Sequence, residues 1–370
     1  MKLSFLKIIL IALIPGLLAG IVGAFVVEAY LLPPASFSLP KWNEVKRKAP
    51  AAEEIEISAA ADRAAPAVVD IYLTKSDLNS KEILDKIYLP SEILGRGIIL
   101  TSDGWILTTK EVISDFKKEY SVITFNKKLY EIREMILDKV SNAVFLKVEA
   151  EDLPVSQIGD KEELEAEQNV AVLEEGAVIT RIVNLNYEPI SEKKDLIKSS
   201  EKFSKFILLK DVFGKAGDPL VNLDGEIIGL ITSSNPRGNL RTALPVSYIK
   251  SAFINILKYQ KIKRPFLGVN YIDLASASGL EEEINQGLKR GALLYENKDL
   301  KIKAAVAGSP AAFAGLKSKD IILKVDKEEL SSRRDLADII QEYRVGDSID
   351  LLVLRAGKEQ TIKVKLEELK

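Results

Sequence analysis

The sequence predicts a mostly β protein with two folded domains, preceded by one N-terminal transmembrane helix. An uncharged apolar run occupies residues 8–27, and many short strand-like runs without long intervening helices follow it. Such strands are typical of a barrel or a sandwich. A second pattern, in which short strands and helices are mixed, fills the C-terminal third and indicates an α+β domain. The predicted boundaries are residues 1–32 for a membrane anchor, 33–58 for a linker, 59–260 for the first domain and 261–370 for the second.

The composition excludes several classes of chemistry. The chain has no cysteine, which excludes disulfides, thiolate catalysis and zinc–cysteine sites. It has no histidine, the commonest metal ligand and the side chain that most readily acts as a general base near neutral pH. With 52 lysines and arginines against 54 aspartates and glutamates, no overall charge favours nucleic acid. We therefore expect no metal, no cofactor and no nucleic-acid partner, and any hydrolysis would need a lysine or carboxylate base.

The apolar run is predicted to anchor the protein in a membrane. At roughly 1.5 Å per residue, about 20 residues cross a hydrocarbon core of roughly 30 Å. A cleaved signal peptide is the alternative, but the run exceeds the usual apolar length and no small-residue cleavage motif precedes Glu28. Lys2 and Lys7 favour a cytoplasmic N-terminus. We therefore expect a single-pass protein whose C-terminal domains lie outside the cytoplasm.

The first domain opens with a short helical turn from Ala59 and continues with alternating or buried strands. An Asp103-Gly104 turn between two apolar runs is among the stronger hairpin signals in a sequence. The strand-like runs are residues 67–73, 95–101, 105–109, 121–125, 143–148, 170–173, 177–184, 206–209 and 226–232.

Two further segments complete the first domain. The polar stretch of residues 191–205 is predicted to be a solvated surface loop or a short exposed helix without chemistry. A helix over residues 247–259 closes the domain, and its predicted apolar face consists of Ile249, Phe253, Ile254 and Leu257.

These segments, taken in order, resemble the HtrA (Deg) family of trypsin-like serine proteases. The resemblance covers residues 59–370 and implies a trypsin-like double β-barrel in residues 59–260. The segments that carry it are Pro66–Val69, Gly95–Ile99, Asp103–Thr108, Leu153-Pro154, Ile158–Asp160, Gly214–Gly229 and Ala243–Pro245.

The positions that match the family's catalytic triad all carry other residues. Glu111 stands where the family has its histidine, Asn142 where it has its aspartate, and Ala216 where it has its nucleophilic serine. In such proteases the glycine-rich turn presents the serine, and its N–H groups form an oxyanion hole. Asp218 places a carboxylate in this turn, where it would repel a developing oxyanion. We therefore expect an inactive homologue of a trypsin-like serine endopeptidase.

An active hydrolase with a non-standard lysine or carboxylate site remains the alternative. Lys110 and Lys215 flank the former site, and a buried lysine can act as a base. A nucleophile would then come from Thr109, Ser114, Ser233 or Ser234. Glu111 could instead form a structural ion pair with one of these lysines, or work as a paired carboxylate with Asp218.

The C-terminal residues resemble a PDZ domain. Phe266, Leu267, Gly268 and Val269 match its carboxylate-binding loop and first groove strand. The resemblance continues through Ala305–Leu316, where Ser309-Pro310 starts a short helix, through Asp320–Val325, and through a closing hairpin of residues 348–354 and 360–366.

Such a domain binds an extended peptide C-terminus as an added strand, and its backbone N–H groups hold the terminal carboxylate. A helix from near Ser332 carries an apolar face of Leu336, Ile339, Ile340 and Tyr343. We predict that Leu336 and Ile340 line the pocket for the last side chain of the peptide, with plain core packing as the alternative.

Together these features predict a membrane-anchored HtrA-like protein without the Ser-His-Asp triad. Its PDZ domain would make it a peptide-binding or protein-binding scaffold or a regulator of protein quality control. The expected partners are peptide C-termini or unfolded proteins, together with the membrane. The family resemblance also implies a homotrimer.

Overall fold

The computed structural model describes residues 52–75, 82–160, 164–232 and 239–370. The predicted anchor and most of the predicted linker lie outside these residues. Within the described ranges, no helix is both long and apolar enough to span a membrane. The α-helices of the described ranges are α1 Ala52–Ala64, α2 Lys250–Tyr259, α3 Glu282–Asn285, α4 Pro310–Phe313 and α5 Leu336–Ile340.

Six antiparallel strands form the first barrel. They are β1 Val68–Leu73, β2 Gly95–Ile99, β3 Trp105–Thr109, β4 Tyr120–Thr124, β5 Leu129–Leu137 and β6 Ala143–Val148. The barrel closes in the order β1-β2-β3-β6-β5-β4. The predicted hairpin of β2 and β3 is confirmed, and its turn uses Gly104 at φ +105°, a conformation that glycine adopts without a steric penalty.

The second barrel also has six antiparallel strands. They are β7 Asn169–Leu173, β8 Ala177–Tyr187, β10 Phe206–Lys210, β11 Pro219–Val221, β12 Ile227–Ile231 and β13 Leu240–Pro245. This barrel closes in the order β10-β13-β12-β11-β7-β8. The strand between β8 and β10 in the chain, β9 Ile197–Ser199, belongs to a different sheet.

The two helices at the ends of this region pack on the barrels. Helix α1 begins at Ala52, inside the stretch predicted to be a linker, because Ile57 is fully buried in an apolar cluster with residues of both barrels. Helix α2 confirms the predicted closing helix, but its predicted face is partly wrong. Ile254 and Leu257 are exposed, whereas the side chains that face the core are Ile249, Ala252, Phe253 and Ile256.

The C-terminal domain is a sheet packed against short helices. Its strands are β14 Pro265–Phe266, β15 Asn270–Asp273, β16 Ala292–Leu294, β17 Ile321–Val325, β18 Glu328–Glu329, β19 Ser348–Arg355, β20 Lys358–Lys365 and β21 Glu367–Glu368. The sheet has the order β20-β19-β17-β16-β15-β9, with β18 paired to β17 and a separate β14–β21 pair. The predicted closing hairpin is confirmed as β19 and β20.

Two local predictions for the helices of this domain have different outcomes. Ser309 caps α4 by accepting a hydrogen bond from the N–H of Ala312, as predicted for a helix that starts at Ser309-Pro310. Helix α5 starts at Leu336 rather than near Ser332, because Asp335 forms a capping box with Asp338.

The prediction of a solvated loop or a short exposed helix at residues 191–205 holds only for the start of the stretch, where residues 191–194 are exposed and Lys193–Leu196 forms a short 3-10 helix, and it is wrong for the remainder. Strand β9 lies inside this stretch and pairs with β15, and the side chains of Lys198 and Lys205 are only 4% and 1% exposed. Several carboxylates of the C-terminal domain neutralise these lysines, which is why such a polar segment can be buried.

Candidate functional site

The fold brings the three triad-equivalent positions together at one end of the first barrel. Glu111 lies in the turn after β3, and Asn142 lies directly before β6, which pairs with β3. The carbonyl of Asn142 accepts a hydrogen bond of 2.9 Å from the N–H of Lys110. The Ala216 carbonyl accepts one of 3.2 Å from the N–H of Arg96 on β2. The turn of the second barrel thus meets the first barrel where the family resemblance places its catalytic site.

The close contact at this meeting point depends on Gly95. A Cβ atom at Gly95 would lie 2.3 Å from the carbonyl oxygen of Ala216 and 2.6 Å from Val112, the neighbour of Glu111. Only glycine permits this approach of the two turns. Ala216 is half-buried and packs against the apolar cluster of the first barrel that includes Val112, whereas Glu111 is exposed.

A buried ion network lies beside the turn of Ala216. The Arg96 guanidinium bonds Asp218 at 2.7 Å and Asp70 at 2.9 Å. Asp218 is completely buried, and its Oδ2 atom also accepts a hydrogen bond of 2.7 Å from the N–H of Lys215. The carboxylate of Asp218 therefore points into the protein and consumes a backbone donor of the glycine-rich turn.

Burial raises the pKa of Asp218 to about 6, although the charge of Arg96 and the N–H of Lys215 oppose the rise. The carboxylate of Glu174 raises this pKa further. Both acidic groups lie close to Gly214, because a Cβ there would stand 2.9 Å from Asp218 and 3.3 Å from Glu174. The surroundings of the turn are therefore acidic, which disfavours an additional negative charge.

The groups considered for a non-standard hydrolase are not arranged as a nucleophile with its base. Lys110 and Lys215 are exposed, and among the described residues neither forms an ion pair with Glu111. The Thr109 hydroxyl is buried without a hydrogen-bond partner in the described part of the chain. Ser114 is exposed, and Ser233 and Ser234 lie outside the described residues. The carboxylate of Asp218 forms an ion pair with Arg96 and is not arranged as a carboxylate pair with Glu111.

The predicted carboxylate-binding loop has the geometry of an anion-binding loop. Gly268 has φ +82°, and a Cβ there would lie 2.2 Å from the Cβ of Ser309. The N–H groups of Leu267 and Gly268 both donate to Oε1 of Glu201, at 3.1 and 2.9 Å. The Val269 N–H donates to the Ser200 hydroxyl at 3.1 Å. The loop therefore holds a carboxylate, which is the side chain of a glutamate from the same chain.

The remaining predicted groove residues lie around this loop. Leu336 and Ile340 are fully buried in one apolar cluster with Leu267 and Val269. Phe266 is half-buried and belongs to β14, which pairs with β21. Their position is compatible with a pocket wall and equally with core packing, so their role in binding a peptide side chain stays a prediction.

Strand β9 lies along the edge of β15 as an antiparallel strand. Ser199, Lys198 and Ile197 stand opposite Asn270, Tyr271 and Ile272. The pairing continues through Ser200, whose N–H donates to the Val269 carbonyl at 3.1 Å. This edge is the one to which a PDZ domain adds a peptide strand.

The ammonium group of Lys198 lies among three carboxylates. It bonds Glu188, Asp273 at 3.3 Å and Asp335 at 3.1 Å. These three carboxylates lie within 4.8 Å of one another, which by itself resembles a metal site, but the lysine supplies the cation. Burial would lower the pKa of Lys198, but the three carboxylates outweigh it and raise the pKa.

A second lysine extends this cluster. Lys205 bonds Asp338 at 2.8 Å and lies 3.5 Å from Asp335. Burial would raise the pKa of Asp335, but Lys205 and Lys198 outweigh it and lower the pKa. Asp335 therefore stays charged between two cations, and the segment that carries both lysines is held against the C-terminal domain.

Another buried ion pair joins the first barrel to the start of the C-terminal domain. The guanidinium of Arg264 bonds Asp138, which is fully buried next to Asn142. The same arginine donates to the carbonyl of Tyr248 at 2.9 Å and to the hydroxyl of Ser251 at 2.6 Å. Asp138 thus helps to hold the two domains together.

Comparison with known proteins agrees with both halves of the fold. Residues 95–230 match the family described as a trypsin-like peptidase domain, and residues 265–366 match the PDZ domain. The chain therefore combines a trypsin-like peptidase domain with a PDZ domain, and it is similar to the HtrA-type proteases named below. A probable periplasmic serine endoprotease DegP-like of Marinomonas sp. is 29% identical over 280 residues, which are 74% of this chain and 57% of that protein. The serine protease Do-like HtrA of Bacillus subtilis is 34% identical over 160 residues, 42% of this chain and 35% of that protein.

Solved structures share the fold of this chain. The HtrA-type protease AlgW with a tripeptide superimposes with a TM-score of 0.60 at 21% identity, covering 84% of this chain and 96% of that chain. The same protease with a decapeptide gives 0.58 at 19% identity, over 84% of this chain and 98% of that chain. The chain spans about half or less of the length of the curated relatives above, 57% of the first and 35% of the second.

The functional residues that sequence reasoning missed are those of the segment 197–205. Its lysines and serines are typical of a solvated loop, and its strand, β9, is only three residues long. The one usable signal was that the connection between β8 and β10 is much longer than a hairpin needs.

Proposed function

We propose that the HtrA-like chain binds peptides or unfolded proteins through its PDZ domain and does not cleave them. On this proposal it is an inactive serine endopeptidase homologue that acts as a scaffold or a regulator of protein quality control. The observation that carries the proposal is the contrast between two sites. The turn of Ala216 presents a methyl group, whereas the loop of Leu267 and Gly268 directs N–H groups at a carboxylate.

The surroundings of the turn support the absence of acyl transfer. Serine-protease chemistry needs a nucleophile, a base and donors for the oxyanion. Ala216 supplies no hydroxyl, and the exposed Glu111 is not a histidine. Asp218 and Glu174 make the surroundings of the turn acidic, which disfavours a developing oxyanion. Each of these features opposes one requirement of the reaction.

Incubation of the full-length chain with an unfolded protein tests this proposal. We expect no fragments above background, measured by mass spectrometry. Cleavage that disappears in Lys215→Ala or in Glu111→Ala would contradict the proposal and support a non-standard hydrolase. Cleavage that disappears only in Lys110→Ala would contradict the proposal in the same way, and cleavage that survives all three substitutions would come from a contaminating protease. Lys202→Ala serves as the matched control because Lys202 is exposed and distant in sequence from the turn.

Peptides that differ only at the C-terminus test the binding half. A free terminal carboxylate can take two charge-assisted hydrogen bonds from the loop, and an amidated terminus cannot. We expect the full-length chain to bind the free peptide at least tenfold more tightly by fluorescence anisotropy. Equal affinity for the two peptides would contradict the assignment of the loop.

We further propose that residues 1–32 anchor the chain in a membrane and that the two domains lie outside the cytoplasm. The uncharged run of residues 8–27 supports the anchor, and the periplasmic designation of the Marinomonas relative supports the location. The full-length chain should resist carbonate extraction from membranes, whereas a chain that lacks residues 1–32 should be released. Equal extraction of the two chains would contradict the anchor.

The family resemblance also leads us to propose a homotrimer. A monomer mass in detergent-corrected ultracentrifugation would contradict the trimer.

A further inference from the structure

The groove of the PDZ domain already contains a ligand, which is a segment of the same chain. Ile197–Ser199 pairs with β15, and the pairing ends at Ser200, where the carboxylate of Glu201 enters the loop. Both parts of peptide recognition by a PDZ domain, the added strand and the bound carboxylate, are thus supplied from within the molecule. We call residues 197–201 the internal strand.

Contacts from the opposite side of the groove hold the internal strand in place. The side-chain amide of Gln341, which is 1% exposed, donates to the carbonyl of Ser200 at 3.1 Å. The ammonium of Lys198 is enclosed by Glu188, Asp273 and Asp335. These three carboxylates would repel one another without a cation between them. The groove therefore contains a built recognition site for a basic side chain.

The internal strand also has the advantage of being part of the chain. It is joined to β10 by only a few residues, and Lys205 bonds Asp338 within that connection. A tethered ligand is present at an effective concentration on the order of millimolar. A free peptide must therefore compete with a local strand, and its apparent affinity falls with the fraction of molecules in which the groove is open.

We propose that the internal strand closes the PDZ groove, and that the groove opens to peptides with a lysine or arginine two residues before a free C-terminal carboxylate. This inference rests on the proposed peptide-binding function. It adds both the regulation of the site and the class of its ligand.

The register of the internal strand fixes the position of the basic residue. Ser200 donates its N–H to the Val269 carbonyl, next to the N–H groups that hold the carboxylate. A peptide whose last residue takes the place of Ser200 presents its terminal carboxylate to that loop. The residue two positions earlier then takes the place of Lys198 among the three carboxylates. A peptide that ends in Ile-Lys-Ser-Ser with a free carboxylate is the matched probe.

Removal of the internal carboxylate is the first test. In the full-length chain, Glu201→Ala deletes the group that occupies the N–H donors of Leu267 and Gly268, which opens the groove more often. We expect the Kd for the probe, measured by fluorescence anisotropy, to fall at least tenfold. Glu192→Ala is the control, because Glu192 is an exposed carboxylate of the same connection. A probe in which methionine replaces the lysine should bind at least tenfold more weakly to Glu201→Ala.

A reversible lock is the second test. The Ser200 N–H donates to the Val269 carbonyl, and Ile197 and Ile272 lie three positions further along the same register, so they form a non-hydrogen-bonded pair whose Cα atoms lie about 4.5 Å apart. That spacing permits a disulfide. The chain has no cysteine of its own, so Ile197→Cys with Ile272→Cys gives a single defined bond. We expect the oxidised protein to lose probe binding and the reduced protein to regain it.

The possible outcomes separate this inference from the proposed function. If Glu201→Ala and the oxidised double variant both bind the probe as the natural chain does, the internal closure is overturned, but the proposed peptide binding stands. Tighter binding in Glu201→Ala without any preference for the lysine would overturn the assigned ligand class. The failure of every form, including Glu201→Ala and the reduced double variant, to bind any free C-terminus would overturn the proposed function, and this inference with it.

Discussion

The turn of Ala216 and the groove beside β15 both contain buried carboxylates paired with buried cations, yet the pKa values of these carboxylates change in opposite directions. Asp218 shares one guanidinium with Asp70, and burial raises its pKa to about 6. Asp335 lies between Lys198 and Lys205, which lower its pKa. Asp218 contacts one cation, which does not compensate for its burial, whereas Asp335 contacts two cations, although both of these lysines also pair with other carboxylates.

The two sites also differ in the state of their functional groups, which are replaced by other residues in the turn and occupied by a segment of the same chain in the groove. The positions matched to the triad by resemblance carry Glu111, Asn142 and Ala216, and no binding event can change these residues. The groove keeps its N–H donors, its glycine loop and its strand edge, and they are used by the internal strand. A lost group requires a mutation to restore it, but an occupied group requires only a competing ligand. A competing peptide can therefore test the groove, whereas no ligand can restore the turn.

The largest expected effect concerns the cation of the groove. Lys198→Met keeps most of the side-chain volume but leaves Glu188, Asp273 and Asp335 without their shared ammonium group. Removal of one partner from a buried ion cluster costs about 3–5 kcal/mol. We expect a decrease of about this size in the free energy of unfolding, measured with urea. Lys202→Met, at a neighbouring exposed lysine, should change it by less than about 0.5 kcal/mol; equal effects of the two substitutions would contradict the importance of the cluster.

The next effect concerns the pH dependence of the turn. Because the pKa of Asp218 rises from 3.8 to about 6 on folding, the folded state holds this proton more tightly than the unfolded state. The contribution of Asp218 to the free energy of unfolding is therefore greatest below pH 4 and decreases as the pH rises to about 6. The total decrease is about 3 kcal/mol, because each pKa unit corresponds to roughly 1.4 kcal/mol.

Asp218→Asn removes that titration and isolates its contribution. The free energy of unfolding of the natural chain, relative to this variant, should decrease by about 2.4 kcal/mol between pH 4 and pH 7 in urea titrations. An increase over the same range would mean that Arg96 lowers the pKa of Asp218 instead, and the contrast with Asp335 would disappear.

The smallest effect concerns the shape of the carboxylate-binding loop. Gly268 and Gly308 both have positive φ, at 82° and 75°, but a Cβ clashes with Ser309 only at Gly268. Gly308→Ala therefore carries only the backbone strain, about 1 kcal/mol. We expect Gly268→Ala to cost about 1–3 kcal/mol more and to weaken binding of a free C-terminal peptide. Thermal unfolding of both variants measures the difference, and identical losses would show that the loop tolerates a side chain.

Residues with a regular pattern made most of the fold predictable. The Asp103-Gly104 hairpin, the Ser309-Pro310 helix start and the closing β19–β20 hairpin follow from local turn and capping chemistry, and all are confirmed. Strand β5 escaped prediction because its exposed, mostly charged face hides the strand pattern. The face of α2 was misjudged because the small Ala252 is buried in place of the larger Ile254.

The sites were predictable only where a family pattern marked them. Sequence reasoning could identify Glu111, Asn142 and Ala216 by position, and the structure brings them to one place. It could not predict that Glu201 and Lys198 reach the groove, because the carboxylates that bury Lys198 are up to 137 residues away in the sequence. Long-range charge pairing has no local signature.

The most direct test of the contrast is hydrogen–deuterium exchange of the full-length chain, with and without a saturating peptide that ends in Ile-Lys-Ser-Ser with a free carboxylate. We predict that the bound peptide accelerates exchange in residues 197–201, leaves β15 protected and leaves residues 213–218 unchanged. A peptide that binds while residues 197–201 keep their full protection would contradict the account, because the groove would then not be the site that the internal strand closes.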